Sequence, residues 1–197
     1  MKRPLEKNWI KSKMDKKVFN VRIIAANGLI AALYAVITIA CGPLSYNFLQ
    51  FRISELLNLL VFFNPYYTIG LTIGCLLANI ASSVGPIDIV FGSLTTLVAC
   101  LLMIVYSKFI KNLFSTGFIP CVLNAVVVPF TIVVSTMGTD DVMPLTLGNY
   151  FMMFGWVFLG EFVCIICVGY PLFLVLTKKN KSFNKMILAT RNEDYKW

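Results

Sequence analysis

Stretches almost free of charge recur along the chain at 21–41, 53–63, 66–82, 87–110, 118–137 and 149–177, separated by short segments richer in Pro, Gly, Asn and charged residues. A helix needs roughly 20 apolar residues to cross the ~30 Å hydrocarbon core of a bilayer. Most of these stretches approach or exceed that length. The second is too short to span alone unless it tilts or takes in Arg52. Pro65 after Asn64 predicts a sharp turn into the third, because proline biases the residue before it toward extended backbone. The pattern predicts an all-α protein, an integral membrane bundle of six transmembrane helices.

Small residues lie in rows within two of the runs. Gly28, Ala31, Ala32 and Ala35 give two small-xxx-small pairs on the first, and Gly70, Gly74 and Ala78 give a row on the third. Such rows let helices approach closely where lipid supplies no hydrophobic drive. The third-run row is read as packing within the bundle. The first-run row serves either that packing or an outside partner.

Charge supplies the orientation. Of 17 basic residues, fourteen precede Ile23 or follow Thr177. Positive residues stay on the cytoplasmic side, so both termini are expected there, which requires an even number of spans. With six, Lys108 and Lys111 also fall inside, while Arg52, Asp88, Asp140 and Asp141 fall outside. The chain then divides into a basic cytoplasmic leader (1–20), a membrane domain (21–177) and a basic cytoplasmic tail (178–197). Trp9, Ile10, Met14 and Val18 recur at near-helical spacing among lysines, which suits an interfacial helix on an anionic leaflet. A disordered leader that only sets topology suits the same residues.

The chain is 58% hydrophobic and 13% charged, and its mean hydropathy is +0.81. That is too apolar for a soluble domain. Basic residues outnumber acidic ones 17 to 9, but their terminal placement marks topology rather than nucleic-acid binding. Cys164-x-x-Cys167 resembles a redox or zinc half-site, yet the chain has no histidine and no second pair. The cysteines are therefore read as small polarizable helix residues, and no metal or cofactor is expected. There is no G-x-x-x-x-G-K-[ST] run to cradle ATP phosphates, and no GxSxG or HExxH motif.

The polar residues within the runs therefore stand out. A carboxylate near mid-membrane costs about 2.5–3.5 kcal/mol on insertion scales. Glu161, near the middle of the last run beside Gly155 and Gly160, must pair inside the bundle, be neutral, or line a wet cavity that a ligand enters. Asn124 and Asn79 either join helices by hydrogen bonds or meet the same ligand. Asp88, after Gly85-Pro86, suits the first turn of a helix. Arg52 and Glu55 have the spacing of an i,i+3 ion pair. Arg52, Glu55 and Asp88 also share the outer side with Tyr46, Phe48 and Phe51, a grouping that suits a mouth for a flat polar ligand.

The strings "ALYAVITIACGPLSYNFLQFRISELLNLLVFF", "IGLTIGCLLANI", "DIVFGSLTTLVA" and "GEF" resemble the QueT family over residues 25 to 177. "QFRISELL" and "DIVFGSL" are the more specific pieces. The resemblance implies a substrate-binding (S) component of an energy-coupling factor transporter for queuosine precursors. Such a component sits in the prokaryotic cytoplasmic membrane and docks on a module of one transmembrane coupling subunit and two ATPases. It also implies that Ala31 and Ala35 match the family's Ala-x-x-x-Ala contact with the coupling subunit, flanked by Gly28 and Ala32. Queuosine precursors are 7-deazaguanines, whose ring N–H and exocyclic amine suit carboxylate acceptors. Arg52, Glu55, Asp88, Glu161, Asn124, Asn79, Phe51 and Tyr46 are the expected binding residues. The alternatives are an S component for another vitamin-sized heterocycle, or a membrane-embedded enzyme built on the three carboxylates.

Overall fold

A computed structural model describes residues 21–42, 51–82, 85–136 and 146–179. The expectations for Tyr46, Phe48, Asp140, Asp141 and the two basic termini fall outside these residues. Every regular element in the described part is helical. The helices are α1 (Val21–Ala40), α2 (Leu60–Phe63), α3 (Tyr67–Asn79), α4 (Pro86–Phe109), α5 (Leu113–Thr136), α6 (Leu147–Glu161) and α7 (Tyr170–Lys179). A 3₁₀-helical segment, Ile53–Leu59, leads into α2, and a π-helical segment, Phe162–Gly169, joins α6 to α7.

Local chemistry accounts for the ends. Gly85 sits at φ 83°, a left-handed conformation that glycine adopts without a Cβ penalty. Pro86 then opens α4, where its missing N–H has no partner to lose. Asp88 lies in the first turn and Lys108 in the last, each complementing the helix dipole. Asn64 turns the chain between α2 and α3 as expected: its backbone is extended, and its side-chain Oδ1 accepts the Tyr66 N–H at 3.1 Å. Pro171 follows the π segment. Proline does not by itself demand such a widening here, since Pro120 and Pro129 lie within α5, which stays α-helical.

Among the described residues, four helical spans are long and apolar enough to cross a membrane: Ile23–Ala40, Pro86–Phe109, Leu113–Val134 and Leu147–Lys179. Two apolar helices are shorter, Ile53–Phe63 and Tyr67–Asn79. The structure moves two predicted boundaries. The helix expected from residue 118 begins at Leu113, and the third helix ends at Asn79, where the polar side chain is taken up by α4 rather than by another helical turn.

The layout explains the short second element. α1, α3, α4, α5 and α6 pack as successive neighbours, while the 3₁₀ segment touches α1, α5 and the π segment. Leu59, Val61, Phe62 and Phe63 are almost wholly buried. This element is the filling of the bundle and presents little surface to lipid. Its 3₁₀ stretch also rises about 2 Å per residue, against 1.5 Å in an α-helix, so few residues cover more depth. The outer faces carry Leu29, Val36, Ile73, Val90, Leu101, Phe130, Phe151 and Val175, all exposed. Apolar surface spread over every long helix suits lipid and would be untenable in water.

The third-run glycines pack inside the bundle, as expected. A Cβ on Gly74 would stand 2.7 Å from Tyr34 Cβ and 2.9 Å from the Ala31 carbonyl oxygen, whereas one on Gly28 would meet nothing within 4 Å. Gly74→Ala should therefore destabilise the protein by about 1–3 kcal/mol, the usual effect of overpacking. Gly28→Ala should be neutral or stabilising, since alanine is the better helix former. Thermal unfolding of the two variants in one detergent checks the pair; equal shifts would show that α1 and α3 are not in close contact.

Candidate functional site

Six elements deliver polar side chains to one buried layer. α1 brings Tyr34 and Thr38, and the 3₁₀ segment with its preceding residue brings Arg52, Ser54, Glu55 and Asn58. α3 brings Asn79, α4 brings Asp88 and Ser93, α5 brings Asn124, and α6 brings Glu161; all are buried. Glu55 is 0% exposed, and Glu161 and Asp88 are 1% each.

Glu55 is held from both sides. The Tyr34 hydroxyl donates to its Oε1 at 2.5 Å, and Asn58 Nδ2 donates to its Oε2. A second link runs beside it: Thr38 Oγ1 donates to the Tyr34 carbonyl at 2.8 Å and lies 2.6 Å from Ser54 Oγ. Because the Thr38 proton is used on Tyr34, Ser54 is the donor across that gap. The 3₁₀ segment is thus tied to α1 by side-chain hydrogen bonds one helical turn apart.

The expected i,i+3 pair of Arg52 with Glu55 is not the pairing found. Arg52 Nη2 reaches Asp88 Oδ2 at 3.3 Å. The same oxygen accepts from Ser82 Oγ at 2.6 Å, and Asn79 Nδ2 donates to the Asp88 carbonyl at 3.0 Å. Arg52 precedes the first 3₁₀ residue, so its side chain leaves the segment toward α4 while Glu55 turns inward to α1. Nor do Arg52, Glu55 and Asp88 stand on an open surface among the described residues, since each is at most 3% exposed. Phe51, beside them, is half-buried.

Glu161 lies at the end of α6, where the helix widens into π turns. Asn124 Nδ2 donates to its Oε1 at 2.9 Å. Asn124 also lies within reach of Glu55, so one amide stands near both glutamates. Gly169, at the far end of the π segment, lies against Leu56 and Leu59, with an added Cβ only 3.0 Å from Leu56 Cβ. The two irregular segments therefore face each other, and interrupted helices of this kind recur at functional sites. Phe154, Phe158 and Phe162 form a stacked ladder alongside, with successive ring centroids 6.2 Å apart.

The layer is not saturated. Glu161 Oε2, Asn58 Oδ1, Asn79 Oδ1, Arg52 Nε and Ser93 Oγ are buried and have no hydrogen-bond partner among the described residues. Buried polar atoms are nearly always paired, with protein groups or with ordered water, so each of these is open to one further partner.

The family model described as QueT transporter matches residues 24–178. The chain belongs to the QueT transporter family. A protein of Lactococcus lactis subsp. cremoris (strain MG1363) described as "Queuosine precursor transporter QueT" is 38% identical over 104 residues. Those residues are 51% of this chain and 59% of that relative. No solved structure matches the chain.

In this QueT family member the structure brings together Arg52, Glu55, Asp88, Asn79, Asn124 and Glu161, the charged and amide residues expected from the sequence. It adds Tyr34, Asn58, Ser54, Thr38 and Ser93. Tyr34 and Asn58 were open to discovery: Tyr34 is a polar aromatic in an apolar run, and Asn58 follows Glu55 by three residues. The first-run row splits. Ala31 and Ala35 are buried toward α3, whereas Gly28 and Ala32 are exposed. Cys164 is buried and Cys167 exposed, so the Cys-x-x-Cys spacing does not set two thiols in one environment. Among the described residues, no group of three potential metal ligands forms.

Proposed function

We propose that the chain is the substrate-binding membrane component of an importer, capturing a queuosine precursor from outside and relying on a separate energy-coupling module. That module comprises a transmembrane coupling subunit and two ATPases. The observation that carries the reading is the polar layer with unpartnered acceptors, enclosed in a bundle whose outside is apolar. The leftover groups suit the edge of a 7-deazaguanine. Glu161 Oε2 and Asn58 Oδ1 accept from the ring N–H and exocyclic amine, and Arg52 Nε donates to the ring carbonyl. The phenylalanine ladder offers aromatic faces beside them. The relative's description supports the ligand, and the absence of an ATP-cradling motif from the sequence supports an external engine.

In this reading the chain crosses the prokaryotic cytoplasmic membrane six times with both termini inside. A reporter fused after Lys196 then reads cytoplasmic, and one inserted at 140–141 reads external; the reverse would invert the side from which ligand enters.

Docking on the coupling subunit falls to the exposed side of the α1 row, Gly28 and Ala32, with Ala31 and Ala35 setting the backbone close behind them against α3. Ala32→Trp should reduce uptake at least ten-fold while leaving ligand binding to the isolated protein within about two-fold, because it blocks close helix approach without reaching the buried layer. Loss of binding and uptake together would place Ala32 in the chain's own packing.

The function is tested by mass spectrometry of small molecules that co-purify with the detergent-extracted protein, followed by equilibrium binding of the compound found. A 7-deazaguanine supports the reading. A different heterocycle would keep the transport role and change the cargo.

A further inference from the structure

The bundle is not closed between its first and last helices. α1 packs mainly against α3 and the 3₁₀ segment, and α7 mainly against the π segment, the 3₁₀ segment and α5. Between α1 and α7 runs a groove of about 220 Å³. Ala26, Ile30 and Leu33 line it from α1, at the i, i+4, i+7 spacing of one helix face, and Leu172 and Leu176 line it from α7. Leu57 of the 3₁₀ segment lies on its floor. The groove presents only apolar atoms, and Leu33 and Leu172 are exposed at its rim, so it opens on the lipid-facing side of the bundle.

Its width and its charged end narrow the choice of occupant. Ala26 to Leu33 covers about 10 Å of helix axis, so the groove averages roughly 20 Å² in cross-section. A partner helix, about 10–12 Å across with its side chains, does not fit such a slot; an extended hydrocarbon chain does. A gap between helices forfeits dispersion contacts that a chain lying in it restores. Lys179 continues the α7 stripe of Leu172 and Leu176 at the i, i+4, i+7 spacing, and Lys178 stands beside it. Both lysines are exposed in the last turn of α7, and among the described residues neither has an ion-pair partner. A lipid tail gains little by leaving other tails for an apolar groove. Selectivity therefore rests on the head group, and each lysine at the membrane surface favours an anionic one about five-fold.

We propose that the α1–α7 groove holds one acyl chain of an anionic phospholipid, with its head group against Lys178 and Lys179.

Native mass spectrometry of the full chain in detergent, titrated with phosphatidylglycerol or with phosphatidylcholine of the same chains, reads the affinity for each lipid. Phosphatidylglycerol should bind at least ten-fold more tightly. Replacing both lysines, Lys178→Gln with Lys179→Gln, should bring that ratio to about two-fold or less. Ala26→Trp, which fills the groove, should weaken binding of both lipids at least five-fold. Equal affinities in the unaltered chain, or a preference that survives loss of both lysines, would overturn the proposal. Binding undiminished by Ala26→Trp would put the chain outside the groove and overturn it as well. The lysine variant alters only two exposed side chains, so it decides the matter if Ala26→Trp does not unfold cooperatively.

Discussion

Arg52→Ala should lower the stability of the ligand-free protein by about 3–5 kcal/mol, the range for removing one partner of a buried ion pair. The reason lies in what remains. Asp88 is 1% exposed, and after the change it keeps the Ser82 hydroxyl but loses its only ion-pair partner among the described residues. A carboxylate in that position cannot recover its hydration from lipid. Adding Asp88→Asn should restore most of the loss, because an amide at that site carries no charge to compensate. Denaturation of both single variants and the double variant closes a thermodynamic cycle. A loss below about 1 kcal/mol for Arg52→Ala would be the behaviour of a solvated pair, and Asp88 would then be in contact with water.

Glu161→Gln should weaken binding of a 7-deazaguanine by about 1.5–3 kcal/mol, the range for hydrogen bonds to charged groups, or roughly ten- to a hundred-fold. The amide keeps the shape of the side chain and the contact with Asn124, but it removes the charge and exchanges one acceptor for a donor. Facing a donor edge on the ligand, that exchange turns an attraction into a mismatch. Unfolding of the ligand-free variant should change little, since a neutral amide is no more costly to bury than a carboxylate whose Oε2 has no partner. Affinity and stability can be read from the same sample. Unchanged affinity with reduced stability would make Glu161 a packing residue and move recognition to Glu55 and Asn58.

Arg52 and Glu161 carry sequence signals that differ in kind. Glu161 was legible because a carboxylate in the middle of an apolar run needs a reason wherever the run ends up. Arg52 was legible as important, but its partner was not. Spacing along the chain offered Glu55, three residues away, whereas the fold supplies Asp88, thirty-six residues on. Local spacing predicts partners only where the backbone is a regular α-helix, and Arg52 stands just before a 3₁₀ segment with its backbone at ψ 85°.

The same contrast runs through the fold. Hydropathy alone determined that the chain is helical and coated in apolar side chains, because lipid imposes one rule on every outward position and that rule is written residue by residue. The Asn64–Pro65 turn, the glycine and proline that open α4, and the α3 glycine row are also local chemistry. Whether a small residue faces a helix or the lipid depends on rotation about the helix axis, and that is set by the neighbour. Gly28 and Ala32 turn outward while Ala31 and Ala35 turn inward on the same helix. The π turns after Glu161, the burial of the 53–63 element at the centre, and the capture of Glu55 by Tyr34 from twenty-one residues away were decided by packing. A run of apolar residues states that it avoids water; it does not state which other runs it will lie against. Only the assembled bundle, in which six elements must satisfy one buried set of polar atoms together, fixes which acceptors are paired and which are left without a partner among the described residues.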